Sequence, residues 1–443
     1  MPWGRAIIIS PIRHPFRPYV LTPSATASSP EPSSRLFQSE TLALFAFAFV
    51  LPQFEVPKNV LWIVFVVLWL INRTRTREFG GPWNAWDSLI ALWIASGYAA
   101  AVFAGLHDNE WKSAFDIARY GIVLWLLMRS GYGEHTLRVL LFWLVFGTLT
   151  GLLRGYYEVI FVPSANLQPR YLGLNSVGHV NHSAIYLAIV FGATLAWVRG
   201  SWMGDSAKHR TLGGLVTAAF VVSLVVMQSR ATVGVSLVVA IILLGAFALR
   251  SGYSLWRVGA GTAIVVAALL VARPEVVEKN ALRIKENNLL AFRDNIWRTG
   301  LEAWRTFPAF GVGMGNYGRI TLARLQQWRK ERGETLDQSR VMPQAHAHSL
   351  YINTVAERGA VGLAALLAVL AAWAWSLRRI PTSGDSAVRW AYWGGALGAW
   401  LVTVLVGFVN TTLHHEHALV SVLLLGGWLA LARSRKPSLP APD

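Results

Sequence analysis

Apolar residues in this chain come in long runs separated by short polar breaks, and a bilayer span needs roughly 20 mostly apolar residues. The runs fall near 38–54, 58–72, 87–105, 115–129, 136–158, 180–198, 212–228, 231–249, 254–272, 349–377, 387–409 and 415–432. They predict an all-α, polytopic membrane protein of about twelve transmembrane helices by the span-length criterion. One break is different in kind. Residues 273–345 form a loop of about seventy residues, far longer than the usual connection between helices. Within it Leu289, Phe292, Ile296, Trp297, Leu301 and Trp304 recur at three- and four-residue steps and predict an amphipathic helix over 282–307. Pro308 and the glycine-rich FGVGMGNYG end it, and a second, polar helix is expected over about 319–332.

The polar breaks give the expected sidedness. Arg73, Arg75 and Arg77, then Arg129 and Arg138, then Arg199, Lys208 and Arg210, then Arg250 and Arg257, then Arg378, Arg379 and Arg389, and finally Arg433, Arg435 and Lys436 all fall on one side of a twelve-span chain. The opposite short loops hold little positive charge, as in His107, Asp108 and Glu110, or NTTLHHEH at 410–417. Positive charge stays inside, so both termini are expected in the cytoplasm and the long loop outside. Residues 1–35, whose short apolar patch is interrupted by Pro11, read as a disordered basic cytoplasmic tail with no cleavable signal peptide. The expected organisation is this tail, a bundle of about nine helices over 36–272, the loop 273–345, a bundle of about three helices over 346–433, and a short cytoplasmic tail over 434–443, all by the span-length criterion.

Composition agrees. The chain is 54% hydrophobic and only 14% charged, against about 25% charged in an ordinary soluble domain. Its net charge of +17 sits largely in the short loops, where it is a topology signal rather than a nucleic-acid footprint. Cysteine is absent, which removes disulfides, thiolate nucleophiles and zinc–cysteine sites.

The candidate chemistry gathers on the outer side. Arg230 interrupts a run that is otherwise apolar from about 215 to 249. It is either an arginine snorkelling to the interface or a phosphate ligand at the mouth of a cavity. Arg293, Arg298 and Arg305 punctuate the amphipathic pattern. Guanidinium groups bind phosphate oxygens bidentately and keep their charge. The same helix could equally lie on an anionic membrane surface with Trp297 and Trp304 at headgroup level. A further outer segment, 154–182, carries Arg170 and His182. His346 and His348, two apart after Pro343, share a face only if the segment is extended. They could cap a helix at the interface or bind a metal, although no suitably spaced acidic partner accompanies them. One could instead act as a general base, kept neutral by nearby arginines. HHEH at 414–417 reads as cavity lining or surface, and Gly313–Gly318 fits G-x-G-x-x-G without the preceding strand a dinucleotide site needs. No Walker A motif, nucleophile elbow or Asp-x-Asp pair is present, so no nucleotide, cofactor or metal is expected.

Three segments, in this order, resemble the O-antigen ligase family within the O-antigen ligase and polymerase superfamily: QSRAT around Arg230, FRDNIWRTGLEAWRTFPAFGVGMGNYG over 292–318, and HAHSLYINTVAERGAVGL over 346–363. The resemblance implies a GT-C-like, metal-independent, inverting glycosyltransferase of the bacterial inner membrane. Such a ligase moves a glycan from undecaprenyl pyrophosphate to a sugar hydroxyl of lipid A–core at the periplasmic face, which makes 273–345 a periplasmic loop. By position, Arg230, Arg293 and His348 match the family's catalytic elements. Arg170, His182, Arg298, Trp297, His346 and Tyr351 are the expected substrate-binding residues. Ser349 stands where many relatives have Asn. An O-antigen polymerase is the nearest alternative. A transporter or flippase of anionic lipid-linked substrates is the alternative of another class, and it would show duplicated halves that this chain lacks.

Overall fold

The computed structural model describes residues 35–108, 110–162, 171–201, 207–251 and 292–434, together with Ser254 and Trp256. The expected ninth span, the residue Arg170 and the first part of the expected amphipathic helix lie outside the described residues, as does most of each terminal tail. Among the described residues there are helices and no strands, as the apolar periodicity predicts. The helices are α1 Arg35–Val50, α2 Glu55–Thr76, α3 Ala85–Val102, α4 Glu110–Arg129, α5 Glu134–Phe161, α6 Val180–Ser201, α7 Ala207–Val226, α8 Arg230–Ser251, α9 Arg293–Thr306, α10 Leu322–Glu331, α11 Leu350–Leu377, α12 Ala387–Leu401 and α13 His415–Ser434. Eleven of the twelve expected spans thus coincide with a described helix. Eight helices among the described residues are long and apolar enough to cross a membrane. The other three are shorter or carry more charge: α1 has 16 residues, α12 has 15, and α4 contains Glu110, Lys112, Asp116, Arg119 and Arg129.

The centre of the bundle is α6, α12 and α13. Their close approach rests on absent side chains. A Cβ on Gly394 of α12 would lie 2.2 Å from the Cβ of Ala196 on α6. Small residues at such crossings let backbones meet and gain dispersion contacts that lipid cannot supply. Of the apolar stretch of α6, 78% is buried, against 17% of α7, so α7 faces outward.

Polar residues divide between the two ends. At one end the basic loop residues find partners. Arg129 donates to Asp87 and to the carbonyls of Phe79 and Pro82, each at 2.9 Å. Arg73 bonds the Ser130 carbonyl, Arg389 pairs with Glu134 at 2.7 Å, and Arg433 reaches the Met128 carbonyl at 3.2 Å. The loops holding Arg73, Arg129, Arg389 and Arg433 therefore share one end of the bundle. A buried ion pair persists only when hydrogen bonds complete it, and these carbonyls do so for Arg129.

At the other end the described part of the long loop, residues 292–345, is a folded layer. Helix α9 starts at Arg293, and its neighbour α10 is capped by the Thr321 side chain. Buried Glu302 of α9 receives Arg329 of α10 and Arg332 just after it. Helix α11 differs from its expected uninterrupted form. It breaks at Gly359, whose φ is +61°. The backbone groups released there pair with 308–313: Val312 N–H donates to Ala356 O at 2.9 Å, Gly313 N–H to Glu357 O at 3.0 Å, and Ala360 N–H to Pro308 O at 2.8 Å. The glycine-rich turn and the broken helix thus satisfy each other's hydrogen bonds.

Candidate functional site

The geometry of the loop layer carries Arg293 to the helix bundle. Helix α9 packs on α11 at Gly300, where a Cβ would lie 2.7 Å from the Ile352 side chain. Tyr317 Oη donates to Ile296 O at 2.7 Å. Met342 N–H donates to Thr299 Oγ1 at 3.0 Å. The extended segment leading to His346 is therefore fastened to the helix that begins with Arg293.

Arg230 and Arg293 line one cavity of 390 Å3, together with Asn181, Gln228, Ser229, Ala231, Val406, Val409 and Asn410. Arg230 is exposed and Arg293 half-buried. Each arginine is the first residue of its helix, and Asn181 is the second residue of α6. Three helix N-termini, the positive ends of their dipoles, therefore open on the same space as two guanidinium groups. Phe292, the residue before α9, makes no side-chain cap hydrogen bond. Among the described lining residues there is no carboxylate. The arrangement favours an anion with several oxygens.

His348 has neighbours in this cavity and in a second one. Its ring lies 4.4 Å, centroid to centroid, from that of His346, which lines a separate cavity of 230 Å3. Burial pushes the His348 imidazole down to about 4, and the neighbouring His346 and Arg293 press in the same direction. Burial lowers His346 as well. An imidazole kept neutral in this way accepts a proton at physiological pH. Its backbone is unusual: φ is +49°, in the left-handed region that non-glycine residues seldom occupy. The turn is held from both sides. Ala347 N–H donates to Asn353 Oδ1 at 3.0 Å, and Leu350 N–H to Gly407 O at 2.7 Å. Ser349 caps α11 by accepting from Ile352 N–H and also donates to Gly407 O at 3.3 Å. Ser349 thus supplies a cap of its own in this chain.

Of the other expected residues, His182 lines the second cavity, with its ring 5.2 Å from that of His417 and 6.2 Å from that of His179. His414 and His415 line the same cavity, as expected for HHEH. Trp297 is half-buried and its indole N–H has no hydrogen-bond partner among the described residues. Arg298 is exposed, and Arg298 and Trp297 do not line either cavity. Tyr351 also lies outside both linings. Its hydroxyl donates to Val404 O at 2.9 Å, and its ring packs on Phe408, so it braces α11 against the segment that follows α12. The sequence reading did not single out Asp116, Asn353, Glu357 or Arg358, which line the second cavity. Glu357-Arg358 was the available signal: two ionisable residues side by side within an apolar span. Among the described residues no three His, Asp or Glu side chains are grouped to hold a metal ion.

Residues 215–367 match the family model described as O-antigen ligase, a segment that holds Arg230, Arg293, His346, His348 and the break at Gly359. No curated protein matches the chain. Its many apolar helices make it a multi-pass membrane protein, and over the matched segment it is similar to the O-antigen ligase family.

Proposed function

We propose that the protein transfers a glycan from undecaprenyl pyrophosphate to a sugar hydroxyl of lipid A–core, at the periplasmic face of the inner membrane. The observation that carries this reading is the meeting of Arg230, Arg293 and three helix N-termini at one cavity, with the neutral His348 beside Arg293. A pyrophosphate is already a good leaving group. What it needs is compensation for the charge that grows as the anomeric carbon–oxygen bond breaks. Fixed guanidinium groups and helix dipoles supply that without reorganising. The acceptor hydroxyl needs alignment and a base. His348 takes its proton as the oxygen attacks from the face opposite the departing pyrophosphate, which inverts the anomeric centre. Protein residues alone carry every step. The lipid tail would lie along the outward-facing helices, of which α7 is one, and the folded loop layer would cover the headgroups.

The test uses purified full-length protein with undecaprenyl-pyrophosphate glycan and lipopolysaccharide lacking O-antigen, with and without chelator. The expected result is transfer that survives the chelator and is lost in His348→Ala and Arg293→Ala. Extension of the lipid-linked glycan with no transfer to lipid A–core would instead assign the same chemistry to a polymerase. Absence of both products from folded protein would sink the proposal.

A further inference from the structure

Glu357 is a carboxylate inside an apolar helix and only 9% exposed, a placement that is costly and calls for a function. It lies two residues before the break of α11 at Gly359. Two donors from different parts of the chain converge on its two oxygens. Tyr317 N–H donates to Oε1 at 3.3 Å, and Asn353 Nδ2, one turn earlier in α11, donates to Oε2 at 2.9 Å. Each contact leads on to the site. Asn353 Oδ1 accepts from Ala347 N–H at 3.0 Å, the amide between His346 and His348. A backbone N–H can only donate, so this bond orients the Asn353 amide and leaves its Nδ2 facing Glu357. On the other side Tyr317 Oη donates to Ile296 O at 2.7 Å, within the helix that Arg293 opens. One carboxylate thus ties the turn carrying His348 to the helix carrying Arg293. The φ of His348 is +49°, a conformation that persists only where its surroundings impose it.

Both oxygens of a carboxylate can accept, whereas an amide accepts with one atom and donates with the other. Glutamine at 357 would set an N–H against either Tyr317 N–H or Asn353 Nδ2. In the second case Asn353 must turn its amide over, and its Nδ2 then meets Ala347 N–H. An isosteric change therefore breaks one link in either orientation. Moving the carboxylate one turn back, by Asn353→Asp with Glu357→Gln, mends the chain. The aspartate then accepts from Ala347 N–H and from the glutamine Nε2, whose Oε1 accepts from Tyr317 N–H. All three bonds return.

We infer that Glu357 is a positioning residue for the transfer, setting His348 against Arg293 through Asn353 and Tyr317. The inference rests on the transferase reading above. Its test measures steady-state transfer by full-length protein in lipid nanodiscs, together with deuterium exchange at the Ala347 and Tyr317 amides. Glu357→Gln is expected to lower kcat about 100-fold, the cost of a displaced reacting group, with both KM values unchanged. Exchange at Ala347 or Tyr317 should quicken about ten-fold, the worth of one hydrogen bond. Asn353→Asp alone sets two carboxylates together and should lose rate as well. The double variant should regain most of the rate and of the protection, which a residue serving only to fill space would not show. If either single variant fails to fold, the double variant still decides by its rate. Native exchange at both amides in Glu357→Gln overturns the inference, whatever the rate. So does a loss confined to KM, or a folded double variant no faster than the single ones, and each leaves the reaction standing. A native protein with no transfer removes the reaction, and the exchange pattern alone then upholds or overturns the fastening of the turn.

Discussion

At His348 backbone and environment act together. A left-handed φ in a non-glycine residue costs of order 1–3 kcal/mol and persists only where its surroundings impose it. Gln228, Phe292, Leu413 and His415 share this feature, and all four sit beside or within residues that line the two cavities. The strain is thus concentrated where side chains must be aimed. Because the imidazole of His348 is lowered to about 4, its active form is the neutral one. Transfer should therefore be flat from neutral pH down to about pH 6 and fall with the slope of a single proton as pH drops through about 4. Replacing Arg293 by Gln removes one of the charges that disfavour the imidazolium. The falling limb should then move to higher pH, toward the usual histidine value, while the rate on the plateau drops about 100-fold. Arg293→Lys should recover only part of that loss, since a point charge cannot form the planar fork. A pH–rate series on the three proteins reads all of this, and an acid limb that stays in place in the Gln protein would show that Arg293 does not act on His348.

Among the elements, α11 matters most because it is two helices in one. Its interruption lets a membrane helix exchange backbone hydrogen bonds with the 308–313 turn. Gly359 permits this twice over: its φ is +61°, and a Cβ there would fall 2.3 Å from the Ala309 carbonyl. Gly359→Ala should cost about 2–3 kcal/mol, seen as a lower thermal midpoint in detergent, and should loosen the loop layer against the bundle. Ser349→Ala, which removes the cap of the same helix, should cost about 1 kcal/mol. Equal midpoints for Gly359→Ala and the native protein would mean that the junction does not hold the layer in place. The apolar run over 349–377 was legible as a span. The break was not, because one glycine in an apolar run has no partner in its own segment to reveal it.

Over the whole molecule the two ends do different work. The end holding Arg73, Arg129, Arg389 and Arg433 is tied by ion pairs and carbonyl contacts around a small cavity of 50 Å3 at Arg389, whereas the end holding the loop layer opens into the two larger cavities. Asp87→Ala should destabilise the bundle by about 3–5 kcal/mol, because it strands the buried Arg129 charge. Transfer by the protein that remains folded should be preserved, as Asp87 lines neither cavity. Sidedness can be checked in the same cysteine-free background. A single cysteine at exposed Lys330 should react with an impermeant maleimide in intact spheroplasts, and one at exposed Ser383 only after permeabilisation. The reverse pattern would invert the proposed topology.

The linear order of residues determined the helical class and the places of the described helices, and it offered Arg230, Arg293 and His348 as candidates. Hydropathy and charge act locally and leave a trace in any window of chain. Tertiary structure alone decided that Arg230 and Arg293 face one cavity. It alone set Tyr351 bracing against Val404, away from both linings, and gathered Asp116, Trp93, Glu357, Arg358 and Thr411 around a second cavity. Those placements depend on backbone pairings between segments distant in sequence, as between Val312 and Ala356, and on crossings such as Gly394 over Ala196. Their energetics belong to pairs of segments, so neither segment read alone contains them.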